Sequence, residues 1–186
     1  MKDSNVERLA RAAAMWRHVG RERPPFALPP GPGQESVWDY PRPPRLMPDS
    51  REVVVMAGGL EIARSHLALR LLETASPPGF YLPAFDVRTE LLTPVAGASQ
   101  CEWKGQAAYW SMQLPGGYAL DSVAWSYPQP LAPYEALAGH FGFYPQLLDC
   151  FVGGIRVQPQ PGRFYAGWIT PDVVGPFKGA AGSGGW

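Results

Sequence analysis

Hydrophobic residues occur mostly in short runs or in alternation with polar residues, a pattern typical of β-strands. Residues 52–64 predict a β-hairpin, because two apolar segments rich in β-branched residues flank a glycine pair. Further hairpins are predicted over residues 100–127, closed by Pro-Gly-Gly, and over residues 150–157. Residues 80–82 and 87–93 predict two more strands. Strands joined by short turns favour an antiparallel sheet over alternating βαβ units.

Two segments predict helices. Ser4 and Glu7 have the spacing of a capping box, and apolar residues follow at helical intervals up to Trp16. This helix is expected to stop near Gly20. Residues 134–149 also show helical spacing, interrupted by a proline that should kink or split the helix. The predicted class is therefore α+β, a compact, strand-dominated antiparallel-sheet domain with one helix at the N-terminus and one near residues 134–149.

The chain divides into a short N-terminal segment and one domain. Residues 21–35 are rich in proline, which makes this linker stiff. We therefore assign residues 1–30 to the N-terminal helix and the Pro-rich linker, and residues 31–186 to a single β-rich domain. A chain of 186 residues, 46% of them hydrophobic, suffices for one well-buried core. We predict that residues 1–30 are dispensable for folding of that core.

Composition and charge exclude several classes of function. Sixteen basic and sixteen acidic residues cancel, so no basic surface for duplex nucleic acid is expected. No apolar run approaches the ~18 residues of a membrane span, and the charged N-terminus does not resemble a signal peptide, so we expect a cytoplasmic protein. Two cysteines and three scattered histidines favour neither a disulfide framework nor a structural metal site. The chain also lacks a P-loop, an HExxH pair and a G-x-S-x-G elbow, and no cofactor is predicted.

A short aromatic motif of the form W-x-Y-P-x-P occurs twice, at residues 38–43 and 125–130. In one interpretation each copy ends a strand at a rigid proline turn, and its rings belong to the core. In the other, the two copies form a concave wall that stacks a flat or cationic ligand. The rings of that wall would be Trp38, Tyr40, Trp125 and Tyr127. Strand alternation places Trp125 and Tyr127 on one face, which agrees with both interpretations.

Three side chains carry the candidate chemistry. Lys104 is one of three lysines in a chain with thirteen arginines, and a lysine next to a glycine either faces an anion or points to solvent. Cys101 lies three residues earlier, where a nearby ammonium would lower its thiol pKa, but a regular strand would point the two side chains apart. Such a pair needs a bulge or a turn. Glu73 follows an apolar run and is either a catalytic carboxylate or a partner of Arg70 or Arg88 in a salt bridge.

Several segments, in one order along the chain, resemble the domain-of-unknown-function 427 family. They are ESVWDYPRPP (35–44), LRLLET (69–74) with Pro77-Pro78, CEWKG (101–105), YWS (109–111), AWSYP (124–128), GWIT (167–170) and GPFKG (175–179). The resemblance covers about residues 31–186 and implies a compact β-rich fold. It also carries a nucleotidyltransferase-like label but no established catalytic residue. Nucleotidyl transfer usually needs paired carboxylates that hold Mg²⁺, and no close pair of acids stands at a plausible strand end.

We therefore expect a small-molecule-binding domain, with or without catalysis, whose pocket is lined by aromatic rings. The candidate catalytic residues are Glu73, Lys104 and Cys101. The candidate ligand-binding residues are Trp38, Tyr40, Arg42, Tyr81, Tyr109, Trp125 and Tyr127. Trp38, Lys104 and Trp125 are expected to surround a single concavity. The alternative is a protein-interaction or homo-oligomerisation module without catalysis, docking through the N-terminal helix and linker on a partner or on a second copy.

Overall fold

Antiparallel β-sheets and a short N-terminal helix build the protein. The computed structural model describes residues 4–162 and 164–186. Helix α1 spans Asn5–Ala14, and short 3-10 turns span Val37–Asp39, Ala84–Asp86, Thr89–Leu91 and Glu135–Leu137. The strands are β1 (Glu35–Ser36), β2 (Arg45–Asp49), β3 (Val53–Ala57), β4 (Leu60–Ser65), β5 (Ala68–Leu72), β6 (Gly79–Pro83), β7 (Leu92–Cys101), β8 (Gly105–Leu114), β9 (Tyr118–Ser126), β10 (His140–Phe143), β11 (Asp149–Val152), β12 (Ile155–Arg156), β13 (Gln158–Pro159), β14 (Trp168–Ile169) and β15 (Val173–Val174).

The largest sheet has seven strands in the order β2-β5-β6-β10-β9-β8-β7, and every neighbouring pair is antiparallel. A second sheet has four strands in the order β12-β11-β3-β4. Strand β15 pairs with β1 in parallel, and β14 pairs with β13. The β1–β15 pair joins the C-terminal part of the chain to its N-terminal part, and the β13–β14 pair joins it to the segment after β12.

The two large sheets share one hydrophobic core, because a strand places alternate side chains on opposite faces. Phe80 and Leu82 of β6 belong to this core, together with Val53 and Val55 from the four-stranded sheet. Tyr81 lies between the first two in sequence but joins a second cluster of buried residues. This second cluster occupies the other face of the seven-stranded sheet, which is where the cavity described below lies.

The strand-dominated class predicted from the sequence is confirmed. The predicted hairpins appear as β3–β4, β8–β9 and β11–β12, each turning at the predicted glycines. Residues 67–74, which fit either a helix or a strand, contribute β5. The predicted strand over residues 87–93 is replaced by a 3-10 turn, and β7 begins only at Leu92.

The predicted helix near residues 134–149 is wrong. The segment forms the turn Glu135–Leu137 and then strands β10 and β11. Its apolar residues have helical spacing, yet Phe141 packs in the core between the sheets and Leu137 in the cluster on the opposite face. Gly139, with φ of +72°, and Pro145 interrupt the segment where a helix would need regular backbone.

Helix α1 packs against the seven-stranded sheet. Its capping box is present, because the Ser4 hydroxyl accepts a hydrogen bond from the Glu7 amide at 3.2 Å and the Glu7 carboxylate accepts one from the Ser4 amide. The helix ends at Ala14, before the predicted stop near Gly20. Its Ala12 is buried in the cluster on that face of the sheet. Among the described residues, no helix has the length and apolarity needed to cross a membrane.

The N-terminal segment also holds the turn that follows β7. The Arg8 guanidinium donates hydrogen bonds to the main-chain oxygens of Glu102, at 2.5 Å, and Ala132, at 2.8 Å. Further along, Phe26 of the linker lies edge-on to Trp38 and stacks on Trp186, with ring centroids 5.1 Å away in both cases. The domain boundary expected from the sequence stays a prediction. A protein without residues 1–30 would lose these contacts of Arg8 and Phe26.

Candidate ligand-binding cavity

A cavity of about 360 Å³ lies on the face of the seven-stranded sheet that is turned away from the four-stranded one. Strands β5, β6, β8 and β9 contribute one wall, together with the end of β7. The remaining walls come from parts of the chain distant in sequence, namely Trp16 after α1, residues 164–167 and Lys178. The volume lies in the range of ~300–1,000 Å³ that is usual for small-molecule sites.

Aromatic rings on neighbouring strands form the sheet-side wall. Trp125 of β9 lies edge-on to Tyr81 of β6, with centroids 5.8 Å apart, and its indole N–H donates to the Tyr81 hydroxyl at 3.3 Å. Tyr144 packs on the same indole at 4.8 Å. Tyr127 also lines the cavity, as strand alternation from Trp125 requires. The rings hold one another in place, so this wall is pre-formed.

Gly142 of β10 makes room for that wall. Gly142 pairs with both Trp125 and Tyr81 across the sheet, and the Trp125 ring lies directly over its backbone. A Cβ atom at position 142 would stand 2.4 Å from the nearest ring carbon of Trp125. The missing side chain is therefore required for the orientation of the indole.

We predict that Gly142→Ala destabilises the protein and closes part of the cavity. The new methyl group overlaps the Trp125 ring, and overpacking of this kind costs about 1–3 kcal/mol. Urea unfolding followed by tryptophan fluorescence measures the loss. Gly184→Ala is the control glycine substitution, because a Cβ there meets no atom within 4 Å and its φ lies outside the left-handed region, as does that of Gly142. Equal losses in the two variants would contradict the steric argument.

Lys104 lies in the turn between β7 and β8, rather than in a strand as expected from the sequence. Cys101 and Gly105 are the last paired residues of the hairpin, so residues 102–104 form its turn. The Lys104 main-chain oxygen accepts a hydrogen bond from the Leu131 amide at 2.9 Å. Gly105 has φ of +95°, and a Cβ there would stand 3.0 Å from Leu131. This glycine shapes the turn and does not line the cavity.

The Lys104 side chain is buried in the cavity wall, with 7% of the residue exposed. Its ammonium lies 5.2 Å from the centroid of the Tyr127 ring, and no described carboxylate forms an ion pair with it. Burial disfavours the charged form of Lys104, but neighbouring oxygen and sulfur groups outweigh burial and hold the Lys104 pKa well above its ordinary value. These groups belong to Tyr81, Tyr127, Cys101 and Glu73. The wall therefore carries a permanent positive charge.

Cys101 and Tyr109 line the cavity beside this charge. The turn at residues 102–104 supplies the reversal of direction that a Cys101–Lys104 pair needs, and the thiol contributes to the electrostatics of the ammonium. The Tyr109 hydroxyl is held at 2.6 Å by a hydrogen bond with the Ser99 hydroxyl. The thiol is half-buried. Both side chains are thus in reach of a molecule bound in the cavity.

Glu73 lines the cavity as well, and its partner is neither Arg70 nor Arg88. The Arg42 guanidinium donates to the Glu73 carboxylate at 3.1 Å, and the Arg42 side chain is fully buried. Arg70 instead pairs with Glu35. The carboxylate therefore has a structural ion pair with Arg42, and it also lines the cavity, while its catalytic role stays a prediction.

Trp38, Tyr40 and Arg42 do not line the cavity. Trp38 is fully buried in a separate cluster, where its indole N–H donates to the Pro176 main-chain oxygen at 3.2 Å. Tyr40 packs in the same cluster. The two W-x-Y-P-x-P segments are not equivalent, because residues 37–39 form a 3-10 turn whereas Trp125 lies in β9. Lys104 and Trp125 share one concavity, and Trp38 is outside it.

Trp16 and Lys178 are among the cavity residues that were not predicted from the sequence. The Lys178 ammonium lies 3.6 Å from the centroid of the Trp16 ring and donates to the main-chain oxygen of Trp186 at 3.0 Å. Burial lowers the pKa of Lys178 to about 8; the positive charge of Arg42 adds to this effect, and Glu73 partly offsets it. Lys178 belongs to the GPFKG segment, and nothing in the local sequence indicates that this segment reaches the cavity.

The cavity lining has more hydrogen-bond donors than it satisfies. The indole N–H groups of Trp16 and Trp103 are buried and have no acceptor among the described residues. The Lys104 ammonium is buried as well, and it has no ion-pair partner among the residues that the structure describes. Unsatisfied buried donors cost free energy, and these two indole N–H groups are enclosed by protein atoms rather than open to the cavity. The described residues contain no group of three or more His, Cys, Asp or Glu side chains arranged for a metal ion.

Comparison with known families gives one match. The model of the family named NTP_transf_9, described as a domain of unknown function (DUF427), matches residues 45–154. The matched part contains Glu73, Cys101, Lys104 and Trp125, and it excludes Trp16 and Lys178. No curated protein matches the chain.

Proposed function

The chain belongs to the domain-of-unknown-function 427 family, whose description gives no reaction, and we propose from the cavity itself that this protein binds a small molecule. The observation that carries the proposal is the Lys104 ammonium, buried in an aromatic-lined cavity of ligand size without a described carboxylate as its ion-pair partner. Burial penalises this charge, and no described carboxylate compensates it through an ion pair, so an anionic ligand is a suitable partner for it.

The ligand that suits these walls is flat and carries acceptor oxygens. The rings of Tyr81, Trp125 and Tyr127 offer stacking and edge contacts to a planar group. Lys104 fixes an anionic or carbonyl oxygen at the end of the hairpin turn. Glu73, held by Arg42, and Cys101 stand at the same cavity and are the groups available for proton transfer or covalent chemistry.

A thermal-shift screen of planar carboxylates and carbonyl compounds tests this function. A ligand that binds only the folded protein stabilises it by about 2.7 kcal/mol when present at a hundredfold excess over its Kd. We expect Lys104→Met to abolish the shift while changing the stability of the free protein by about 1 kcal/mol or less, because the gain from removing a buried charge is offset by the lost attraction of its neighbours.

Arg88→Met is the matched control, because it removes one positive charge from a half-exposed side chain outside the cavity. This control should retain the ligand-induced shift. A ligand that stabilises wild type and Lys104→Met equally would contradict binding at Lys104. The alternative function, a protein-interaction or homo-oligomerisation module, predicts instead that melting depends on protein concentration and on no small molecule.

A further inference from the structure

We infer that the cavity binds a carbonyl compound carrying an anionic group, with Lys104 holding the anion and the Lys178 amine attacking the carbonyl carbon to form an imine. This inference rests on the proposed small-molecule site and names its ligand class. It joins two lysines that stand 74 positions apart in a chain with only three lysines. Both line the same cavity, and the charge of Glu73 acts on both.

The surroundings of the two lysines differ, and the difference suits Lys104 to anion binding and Lys178 to nucleophilic attack. The neighbours of Lys104 keep its ammonium charged, which suits an anion-binding group. Lys178 is also buried, and the largest effect of a neighbouring charge on it comes from the Arg42 guanidinium, a second cation, which Glu73 and Glu102 offset in part. Burial and a neighbouring cation are the two devices that convert a lysine into an amine nucleophile. Pairs of groups whose surroundings push their pKa values apart mark divided roles.

The groups that face Lys178 come from several segments. Trp16 presents its ring face at 3.6 Å, Tyr165 its ring at 5.6 Å, and Trp186 its main-chain oxygen at 3.0 Å. The charged groups acting on it are those of Arg42, Glu73 and Glu102. With a pKa of about 8, about half of the Lys178 side chains are neutral at pH 8, against well under ~1% for an ordinary lysine.

The charges of the cavity suit the oxygens of such a ligand. Lys104 and Lys178 both line it, and the Glu73 carboxylate is paired with the Arg42 guanidinium. This arrangement favours a ligand with carbonyl or carboxylate oxygens over a cationic one. The aromatic wall around Trp125 favours a planar body between the two oxygen-bearing ends.

The covalent step balances without an oxidant or a reductant. The lone pair of neutral Nζ of Lys178 forms a bond to the carbonyl carbon, and the carbonyl π electrons move to oxygen, which takes up a proton. The resulting carbinolamine then loses that oxygen together with two hydrogens as water, leaving a carbon–nitrogen double bond. One water is released for each imine formed, and the oxidation state of the carbon does not change.

Reductive trapping with 4-formylbenzoate tests this assignment. The probe has an aldehyde, a flat ring and a carboxylate, and cyanoborohydride converts its imine into a stable secondary amine. We expect Lys178 to be the lysine that acquires a 4-carboxybenzyl group when the full chain is treated at pH 8, located by peptide mass mapping. The N-terminal α-amine, whose pKa is usually about 7.7–8.0, also reacts and is counted separately through its own peptide. Labelling at Lys178 should exceed labelling at Lys104 and Lys2 by at least about tenfold, because its neutral fraction is on the order of a hundredfold larger and its lower basicity offsets only part of that gain. The preference for Lys178 over Lys2 should be largest at or below about pH 8 and should shrink at higher pH, where an ordinary lysine also becomes neutral.

Matched probes and variants separate the two roles. Benzoate, which lacks the aldehyde, should protect Lys178 but not Lys2. Benzaldehyde, which lacks the carboxylate, should label Lys178 more slowly than 4-formylbenzoate in wild type and at the same slow rate in Lys104→Met. Lys104→Met should reduce labelling by 4-formylbenzoate to that same level. Lys178→Arg keeps a charge beside Trp16, so it should keep the benzoate thermal shift and lose the adduct.

Two failures have different meanings. If benzoate and 4-formylbenzoate stabilise the protein through Lys104 but Lys178 is labelled no faster than Lys2, the imine is overturned and the binding site stands. If neither probe shifts the melting temperature and benzoate protects no lysine, the ligand class named here is overturned. Equal labelling of Lys178 in the presence and absence of benzoate also overturns the inference, since the amine would then react outside an occupied site.

Discussion

Arg42→Met is expected to lower the free energy of unfolding by about 3–5 kcal/mol, the cost usual for breaking a buried ion pair by removing one partner. The Arg42 side chain is fully buried and donates to Glu73 at 3.1 Å and to the main-chain oxygens of His18 and Thr74 at 3.0 and 2.9 Å. Its guanidinium also lies 4.2 Å from the Trp16 ring centroid. Methionine fills similar space but leaves all three acceptors without their donor.

Urea unfolding at pH 7 measures this loss, and Arg23→Met is the matched control. Arg23 forms a two-pronged pair with Asp39, yet both side chains are more than 40% exposed. Exposed pairs of this kind contribute about 0–1 kcal/mol, so the control should unfold close to wild type. Arg42→Lys should fall between the two, because one ammonium cannot reproduce the fork of donors. A loss in Arg42→Met no larger than in the control would show that this ion pair does not hold the cavity together.

Local patterns in the sequence predict the sheets but not the cavity. Alternation of apolar residues and glycine-centred turns indicates β3–β4, β8–β9 and β11–β12, because register and turn are decided within about twenty residues. Alternation also places Trp125 and Tyr127 on one face correctly. Lys104, Cys101, Glu73, Tyr81 and Tyr109 are brought to that face as well.

The errors arise where contacts between distant segments override a local pattern. The apolar residues within 134–149 have the spacing of a helix, but they do not share one face. The turn and the strand of this segment place them in two different hydrophobic clusters. Trp38 and Trp125 share a motif, but Phe26 and Trp186, from opposite ends of the chain, enclose only the first. Trp16 and Lys178 meet across 162 positions of sequence, and no periodicity could indicate that contact. The charge distribution of the cavity follows from tertiary structure alone.

The sequence and the structure give different indications of whether the N-terminal segment, residues 1–30, is needed by the rest of the domain. Its helix and linker lie outside the matched family residues 45–154, which favours a separable segment. In the structure, however, Arg8 binds the turn that carries Lys104, and Trp16 covers Lys178. We therefore expect this segment to complete the cavity rather than to nucleate the sheets.

A protein that begins at Gly31 should unfold cooperatively, with a lower free energy of unfolding and without benzoate binding. Cooperativity is expected because both sheets and the core between them lie after residue 31. The loss should amount to several kcal/mol, since truncation removes the contacts of Trp16 with Arg42 and Lys178 and exposes the cluster around Ala12. Urea unfolding followed by circular dichroism and a benzoate thermal shift measure both effects.

Arg8→Ala in the full chain separates the two consequences of truncation. It removes the hydrogen bonds to the Glu102, Trp103 and Ala132 oxygens but keeps the covering indole of Trp16. This variant should weaken benzoate binding by loosening the Lys104 turn, at a cost of about 1–3 kcal/mol to stability. If the protein beginning at Gly31 shows no cooperative transition, the helix is an integral part of the core. If instead it binds benzoate as wild type does, the N-terminal segment does not form part of the site.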